Sequence, residues 1–486
     1  MARFRGFVYN ANMRDSSKSG KVGSKVIFLE FNELCPELIA RFIGQGHLPN
    51  FARMRNESFI YTTDAGERPP NLEPWIQWVT VHTGLTFQEH GIYNLGDGPK
   101  LDVKCVWDLL SDAGYRVGVC GSMNICYQLP INGYVLPDPW TSGSKPYPDS
   151  LLDYYKFVQG HVQEYTNDHV PLSAADNLRF LTFMVGHGMS FNTASSIVRQ
   201  LASERVGGDR WKRAAILDKL QFDVFKFQYQ KLAPNFSTFF LNSTAHLQHM
   251  YWRNMEPELF TLKPTAEEQA TYAQAILFGY QQMDEMVGRF LDLAGSDATL
   301  IFSTALSQQP CLIYEEGGGK RAYRPRDFEK LIAFAGVTEK HTIAPVMAEQ
   351  FYVHCENEAD ARAAEAKMAA LRVNGEPAMW LTPQGPSVFA GCVIHSDVAE
   401  DAILTTEGPQ KNAKFFDLFY SMEGMKSGMH HPDGMFWVRT PERDHAEFPG
   451  AVPLTSVAPT LLSLFDVTPP AYMKGATLDE FRKVLN

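Results

Sequence analysis

Three short runs constrain the fold more than any other feature of this chain. KVIFLEF (25–31), STFFLNS (237–243) and ATLIFST (298–304) are strand-like, and none alternates cleanly between apolar and polar residues. A strand that shows one face to water alternates; a strand that does not must be covered on both faces, as in a parallel sheet between helical layers. Helical stretches lie between them. CPELIARFIGQG (35–46) follows the first run, VWDLLSDAGY (106–115) precedes the strand RVGVCG (116–121), and Ala266 to Leu293 reads as one long helix. The expected class is therefore α/β: a three-layer fold with a mostly parallel sheet and helices on both faces, plus a small α+β insert. Such sheets place ligands beyond the carboxyl ends of their strands, which directs attention to the residues after Phe31, Leu241 and Ser303.

The same reading divides the chain into a polar, flexible lead-in (1–24), a core (25–340 and 400–486) and a small cap or satellite subdomain (341–399). The core carries a helical insertion at 150–231, and the cap carries the Ala/Glu-rich helix ENEADARAAEAKMAAL. A net charge of -11 over 486 residues argues against nucleic acid as a partner, since a phosphate backbone needs clustered Lys and Arg. The seven cysteines show no zinc-ribbon spacing and read as reduced, structural thiols. The first 25 residues have basic groups but no apolar h-region, and no apolar run is long enough to span a bilayer. The expectation is a cytoplasmic protein with no membrane span, its oligomeric state left open.

Five segments carry a resemblance when taken in order: LPNFARM (48–54), HTGLTFQEHGIYN (82–94), HLQHMYW (246–252), MHHPDGMFW (429–437) and SVAPTLLSLFDVTPP (456–470). Together they resemble the type I phosphodiesterase / nucleotide pyrophosphatase branch of the alkaline phosphatase superfamily. The resemblance implies two zinc-like ions clamping a phosphoryl group, a Ser or Thr nucleophile, and ligands supplied from strand ends. It also allows each of those positions to be checked. The carboxylate expected after the first strand is Asn32, a neutral amide that brings no charge to offset a cation. Counting back from Gly84 along the family's spacing reaches Pro74, with no hydroxyl beside it; Thr80 and Thr83 lie further along a helix. The Asp-x-x-x-His pair is Ala245 and His249. The strand-end Asp-His pair is Ala305 and Leu306. The last ligand persists as His430 in GMHHPDG. Of six ligand positions, two histidines remain.

Three readings follow. In the first, His249 and His430 hold one zinc, with His246, His431 or a nearby Glu completing the site; His246 and His249 are three apart and share a helix face. In the second, the cleft works without metal. His249, His430 and Glu73 then serve as acid or base, Asn32 and Trp78 line the substrate, and Lys320, Arg321 and Arg324 of EEGGGKRAYRPRDF (315–328) receive an anionic group. In the third, the chain is a catalytically inactive relative that binds a ligand or joins an assembly. The enzyme reading is placed first: hydrolysis or group transfer on a small phosphate or sulfate ester, with zero or one metal and no standard Ser/Thr nucleophile. The tryptophans of NLEPWIQW read first as core and second as a substrate wall.

Overall fold

The computed structural model describes residues 25–141, 143–165, 173–207, 209–346, 349–407, 411–422 and 424–481. The lead-in expected at 1–24 lies outside the described residues. At the centre is an eight-stranded sheet built from β1 (Lys25–Phe31), β2 (Phe59–Asp64), β3 (Val117–Cys120), β4 (Gly133–Leu136), β5 (Phe236–Leu241), β6 (Ala298–Ser303), β7 (Asp433–Arg439) and β8 (Ala446–Pro453). The spatial order is β8-β2-β7-β6-β1-β5-β3-β4. Neighbours pair in parallel except at β7, which runs antiparallel to both β6 and β2. The three apolar runs are the three adjacent central strands, β6, β1 and β5.

Each face of this sheet has its own core, as strands without alternation require. Ile27, Leu29 and Phe31 of β1 pack on one side with Phe51, Phe225, Tyr280 and Phe290. Val26 and Phe28 point to the other, among Trp78, Trp107, Val457 and Leu461. The result is the three-layer arrangement expected from the sequence. Residues 150–231 are largely helical, with helices Leu152–Tyr165, Ala174–Gly186, Phe191–Val206 and Ala214–Leu232. Further along the chain, two small four-stranded antiparallel sheets and helix Glu358–Ala369 gather around a third apolar cluster that includes Phe351, Met368 and Phe415.

One element differs from its expectation. The stretch from Ala266 to Leu293 is two helices, Ala266–Tyr272 and Ala275–Ala294. No Pro or Gly marks the break. Tyr272 stacks on Tyr251 (4.4 Å between centroids), while Ala275 and Ile276 start a new face buried in the core. Packing, not local propensity, sets this boundary.

Two helices position the candidate site: α1 (Pro74–Thr83) and α2 (Ser243–Met255). Behind the start of α2, Ser243 donates a hydrogen bond to the carboxylate of Asp218, a buried residue of Ala214–Leu232. Burial outweighs that bond and pushes the carboxyl up to about 7. A carboxyl raised in the fold favours the folded state fully below its unfolded pKa of about 3.9, and this contribution fades as pH rises toward 7. Asp218→Asn is therefore expected to raise the unfolding midpoint at pH 8.5, by the equivalent of a few kcal/mol at most, and to change it little at pH 4. Thermal unfolding at the two pH values checks this; an equal shift at both would remove the electrostatic cause.

Candidate active site

Beyond the carboxyl end of β1 the chain turns sharply at Asn32 and Glu33. The Asn32 N–H bonds the carbonyl of Leu241 at the end of β5, and the Glu33 N–H reaches that of Thr304 just past β6. Glu33 adopts a φ of 62°, a left-handed conformation uncommon for a residue with a Cβ. The turn places its side chain beneath α2 and the strand Gly428–His431, and strained backbone of this kind clusters at functional sites.

The Glu33 carboxylate is the hub. Its Oε2 lies 3.0 Å from His249 Nε2 and 3.3 Å from His430 Nε2. Gln308 Nε2 donates to the same oxygen at 2.5 Å, and Asn32 Nδ2 donates to Oε1 at 2.6 Å. Burial alone would raise this carboxyl, but the two imidazoles hold it well below the usual carboxylate range. Burial lowers His249; at His430 burial is outweighed by Glu33, which raises it.

The outer nitrogen of each imidazole fixes its proton. His249 Nδ1 lies 3.1 Å from the carbonyl of Gly428, and His430 Nδ1 lies 2.8 Å from that of Leu72. A carbonyl only accepts, so both Nδ1 atoms carry hydrogen. A neutral ring then turns an Nε2 lone pair toward a carboxylate oxygen that is also an acceptor. Either both nitrogens of each ring are protonated, or a cation sits among the three atoms. Glu33, His249 and His430 each offer one ligand atom, all within 4.8 Å of one another. Ligands held at about 2.0–2.1 Å around a tetrahedral ion stand roughly 3.3 Å apart, close to the separations seen. Backbone carbonyls on Nδ1 are the usual outer support of metal-bound histidine. The buried Gln308 Oε1 has no hydrogen-bond partner beside this group, so a further polar atom is available there. The residues present therefore fit a single divalent ion of the zinc type.

Gly428 makes this convergence sterically possible. A Cβ there would stand 2.4 Å from the carbonyl of Gln248 and 2.5 Å from Gln308 Oε1.

The other candidate residues fall in different places. Glu73, at the start of α1, has Oε2 3.5 Å from His430 Nδ1, and burial raises its carboxyl. Asn32 is clamped: Oδ1 accepts from Trp78 Nε1 at 2.7 Å, and Nδ2 also reaches Asn242 Oδ1 at 2.7 Å. Trp78 is fully buried against His82 and Phe240, so it supports Asn32 rather than forming a wall. His246 is on α2 but outside the three-ligand group, and burial holds it down to about 4. Arg321 pairs with Asp397. Arg324 is wholly buried over the ring of Phe328, with Nη1 on the carbonyl of Val346. Lys320 stands over Tyr314.

The remaining positions that the sequence resemblance marks are closed. Thr83 Oγ1 donates to the carbonyl of Val79, and Thr80 Oγ1 lies 3.4 Å from His90 Nε2, so neither hydroxyl of α1 joins the group. Ala305 and Leu306 are completely buried in the apolar core. The sequence reading does not single out Glu33, the third member of the group. It lies one place beyond Asn32, the position that the resemblance marks, and is covered there only as a nearby Glu. The seven cysteines are free thiols. No helix among the described residues is long and apolar enough to cross a membrane.

No family model matches this chain, and no curated protein does. Among solved structures it is similar to murine ectonucleotide pyrophosphatase / phosphodiesterase 5 in complex with AMP, at 11% identity over 93% of this chain and 97% of that one, with a TM-score of 0.39. It is also similar to the alkaline phosphatase PafA, at 11% identity over 94% and 98%, with a TM-score of 0.43. A third is phosphonoacetate hydrolase from Sinorhizobium meliloti 1021 in complex with phosphonoformate, at 12% identity over 91% and 95%, with a TM-score of 0.40.

Proposed function

We propose that this chain is a hydrolase of phosphate or sulfate esters that works with one zinc-type ion, held by Glu33, His249 and His430, and without a side-chain nucleophile. The observation that carries the reading is the orientation of the two imidazoles. Each has its Nδ1 proton on a backbone carbonyl and its Nε2 aimed at one carboxylate oxygen. The choice of an anionic ester rests on the five ordered motifs of the sequence.

A divalent ion held there supplies Lewis acidity toward an ester oxygen and makes water more acidic. The chain's own groups do the rest. Glu73, raised by burial and 3.5 Å from His430, is placed to take a proton from attacking water or return one to a leaving oxygen. Asn32, Gln308 and the carbonyls of Leu72 and Gly428 hold Glu33 and the two rings in place. Water is the nucleophile because the hydroxyls of α1 are engaged elsewhere.

A second reading has its own observation. The Glu33 carboxylate already receives Asn32, Gln308 and two imidazoles, and is thus satisfied if both rings are cationic. That state describes an inactive relative with an anion-tolerant pocket. Metal analysis separates the two. Protein purified without chelator is expected to carry close to one zinc per chain, and His249→Ala to lose most of it. Metal-free wild type with unaltered turnover would refute the first reading.

A further inference from the structure

The segment after β6 returns toward the site through the glycine run of EEGGGK. Gly319 has a φ of 88°, and a Cβ on it would stand 2.0 Å from the sulfur of Met425. Only a glycine allows this approach, and its result is an antiparallel bridge between the next residues, Lys320 and Lys426, with the Lys426 N–H on the carbonyl of Lys320 (2.9 Å). Two like charges directly opposite each other on paired strands destabilise a fold. Neither lysine has an ion pair with a carboxylate among the described residues, and both are half-buried.

Their surroundings add an imidazole, His395, which burial and the charges of the two lysines hold below the ordinary histidine range, so it offers a ring N–H rather than a charge. Lys320 lies 5.4 Å from the centre of the Tyr314 ring, and His395 lies 6.4 Å from that ring on another approach. His395 Nδ1 is buried with no hydrogen-bond partner. The carbonyl of His395 accepts from the Arg321 N–H, which anchors it to the same strand as Lys320. The cluster also adjoins the candidate active site. Ser427, next to Lys426, donates its N–H to the carbonyl of His249, and Gly428 orients the His249 ring. In an extended segment Lys426, Gly428 and His430 share one face. Both lysines act electrostatically on Glu73, and Lys426 acts on His249 and His430. Nearby acids include Glu73 on the active-site side, Glu349, which acts on His395, and Asp397, which pairs with Arg321.

We infer that Lys320, Lys426 and His395 form a receptor for a second anionic group of the substrate, set beside the ester being cleaved. The substrate class is then an ester that bears another acidic group, whether phosphoryl, sulfuryl or carboxylate, and not a simple alkyl or aryl monoester. This rests on the ester reaction proposed above, and it explains why an unfavourable lysine pair stands at that place.

The probes are phenylphosphonate and its 3- and 4-carboxy derivatives, which cannot be hydrolysed, with binding measured by calorimetry on the full chain as purified. Wild type is expected to bind one of the carboxylated probes about tenfold more tightly than phenylphosphonate, as charge-assisted contacts in a half-buried setting provide. Lys320→Ala with Lys426→Ala is expected to erase that preference while leaving zinc content and phenylphosphonate affinity within twofold. The unfolding midpoint of the ligand-free double variant is expected to hold or rise, whereas a purely structural lysine pair would lower it. Lys320→Gln with Lys426→Gln guards against a packing defect. No preference in wild type, or a preference that survives both double variants, overturns the inference. Failure of the zinc reading shows separately, as absent metal with a lysine-dependent preference still present.

Discussion

Glu33→Gln is expected to cost the protein its metal and its turnover together. The substitution keeps the shape of the side chain and its place under α2 but removes the charge that two imidazoles converge on. An amide is a far weaker ligand than a carboxylate, and support groups alone change metal affinity by about 10–100-fold, so loss of a direct ligand should exceed that range. Zinc per chain, measured after dialysis, is expected to fall below one tenth of the wild-type value, and hydrolysis by about a hundredfold or more. His246→Ala is the informative companion. It is three residues from His249 on the same helix but outside the group, so its zinc content is expected to match wild type. If His246→Ala loses zinc and Glu33→Gln keeps it, the third ligand has been misassigned. If both retain zinc, the metal is held elsewhere.

The second large effect is expected at Trp78. Its ring is entirely buried, stacked 5.9 Å from His82 and edge-on to Phe240 at 5.6 Å. Trp78→Ala removes that volume from the core beneath the site, and substitutions of this kind cost about 3–5 kcal/mol. Trp78→Phe separates packing from function. It retains most of the apolar surface but leaves Asn32 Oδ1 without its donor. Its stability cost is expected to stay near 1–2 kcal/mol, while turnover falls about tenfold because Asn32 no longer holds Glu33 in one orientation. Chemical unfolding and initial rates on the same preparations decide it. Unchanged turnover in Trp78→Phe would show that Asn32 needs no fixing, and would leave Trp78 a core residue alone.

How much of this was legible depends on range in the chain. The central strands could be read because each is a contiguous apolar run that needs no distant partner to be recognised. The break between Tyr272 and Ala275 could not, because the ring that marks it stacks on Tyr251, far away in sequence. His249 and His430 stood out from their spacing within recognisable segments, and their rings do meet, 5.1 Å apart. Glu33 is obscured by the position before it: Asn32, where the resemblance expects a carboxylate, is an amide, and the carboxylate lies one residue on, brought inward by a positive φ that no side-chain pattern announces. The adjacency of Asn and Glu at a strand end was the available signal. The basic loop shows the reverse. Four cationic residues in one short segment look alike, yet Arg321 has an acidic partner, Arg324 is sealed in the core, Arg326 donates to the carbonyl of Phe416, and Lys320 is bridged to a second lysine that sequence distance conceals.

The apolar seal formed by Ala305 and Leu306 limits what substitution can add on that side of Glu33. Both side chains are fully enclosed, and Ala305 has a φ of 59°. Placing Asp at 305 or His at 306 would not build a second ion site one step at a time. Each single change would put a polar or charged group into a dry interior with nothing yet there to meet it, a cost of several kcal/mol that selection would see before any gain. That side of the pocket is held shut by packing, as a ratchet holds a wheel. Substitutions around Glu33 can be accommodated singly, but any route to a two-ion site at this end of the sheet passes through forms that fold poorly.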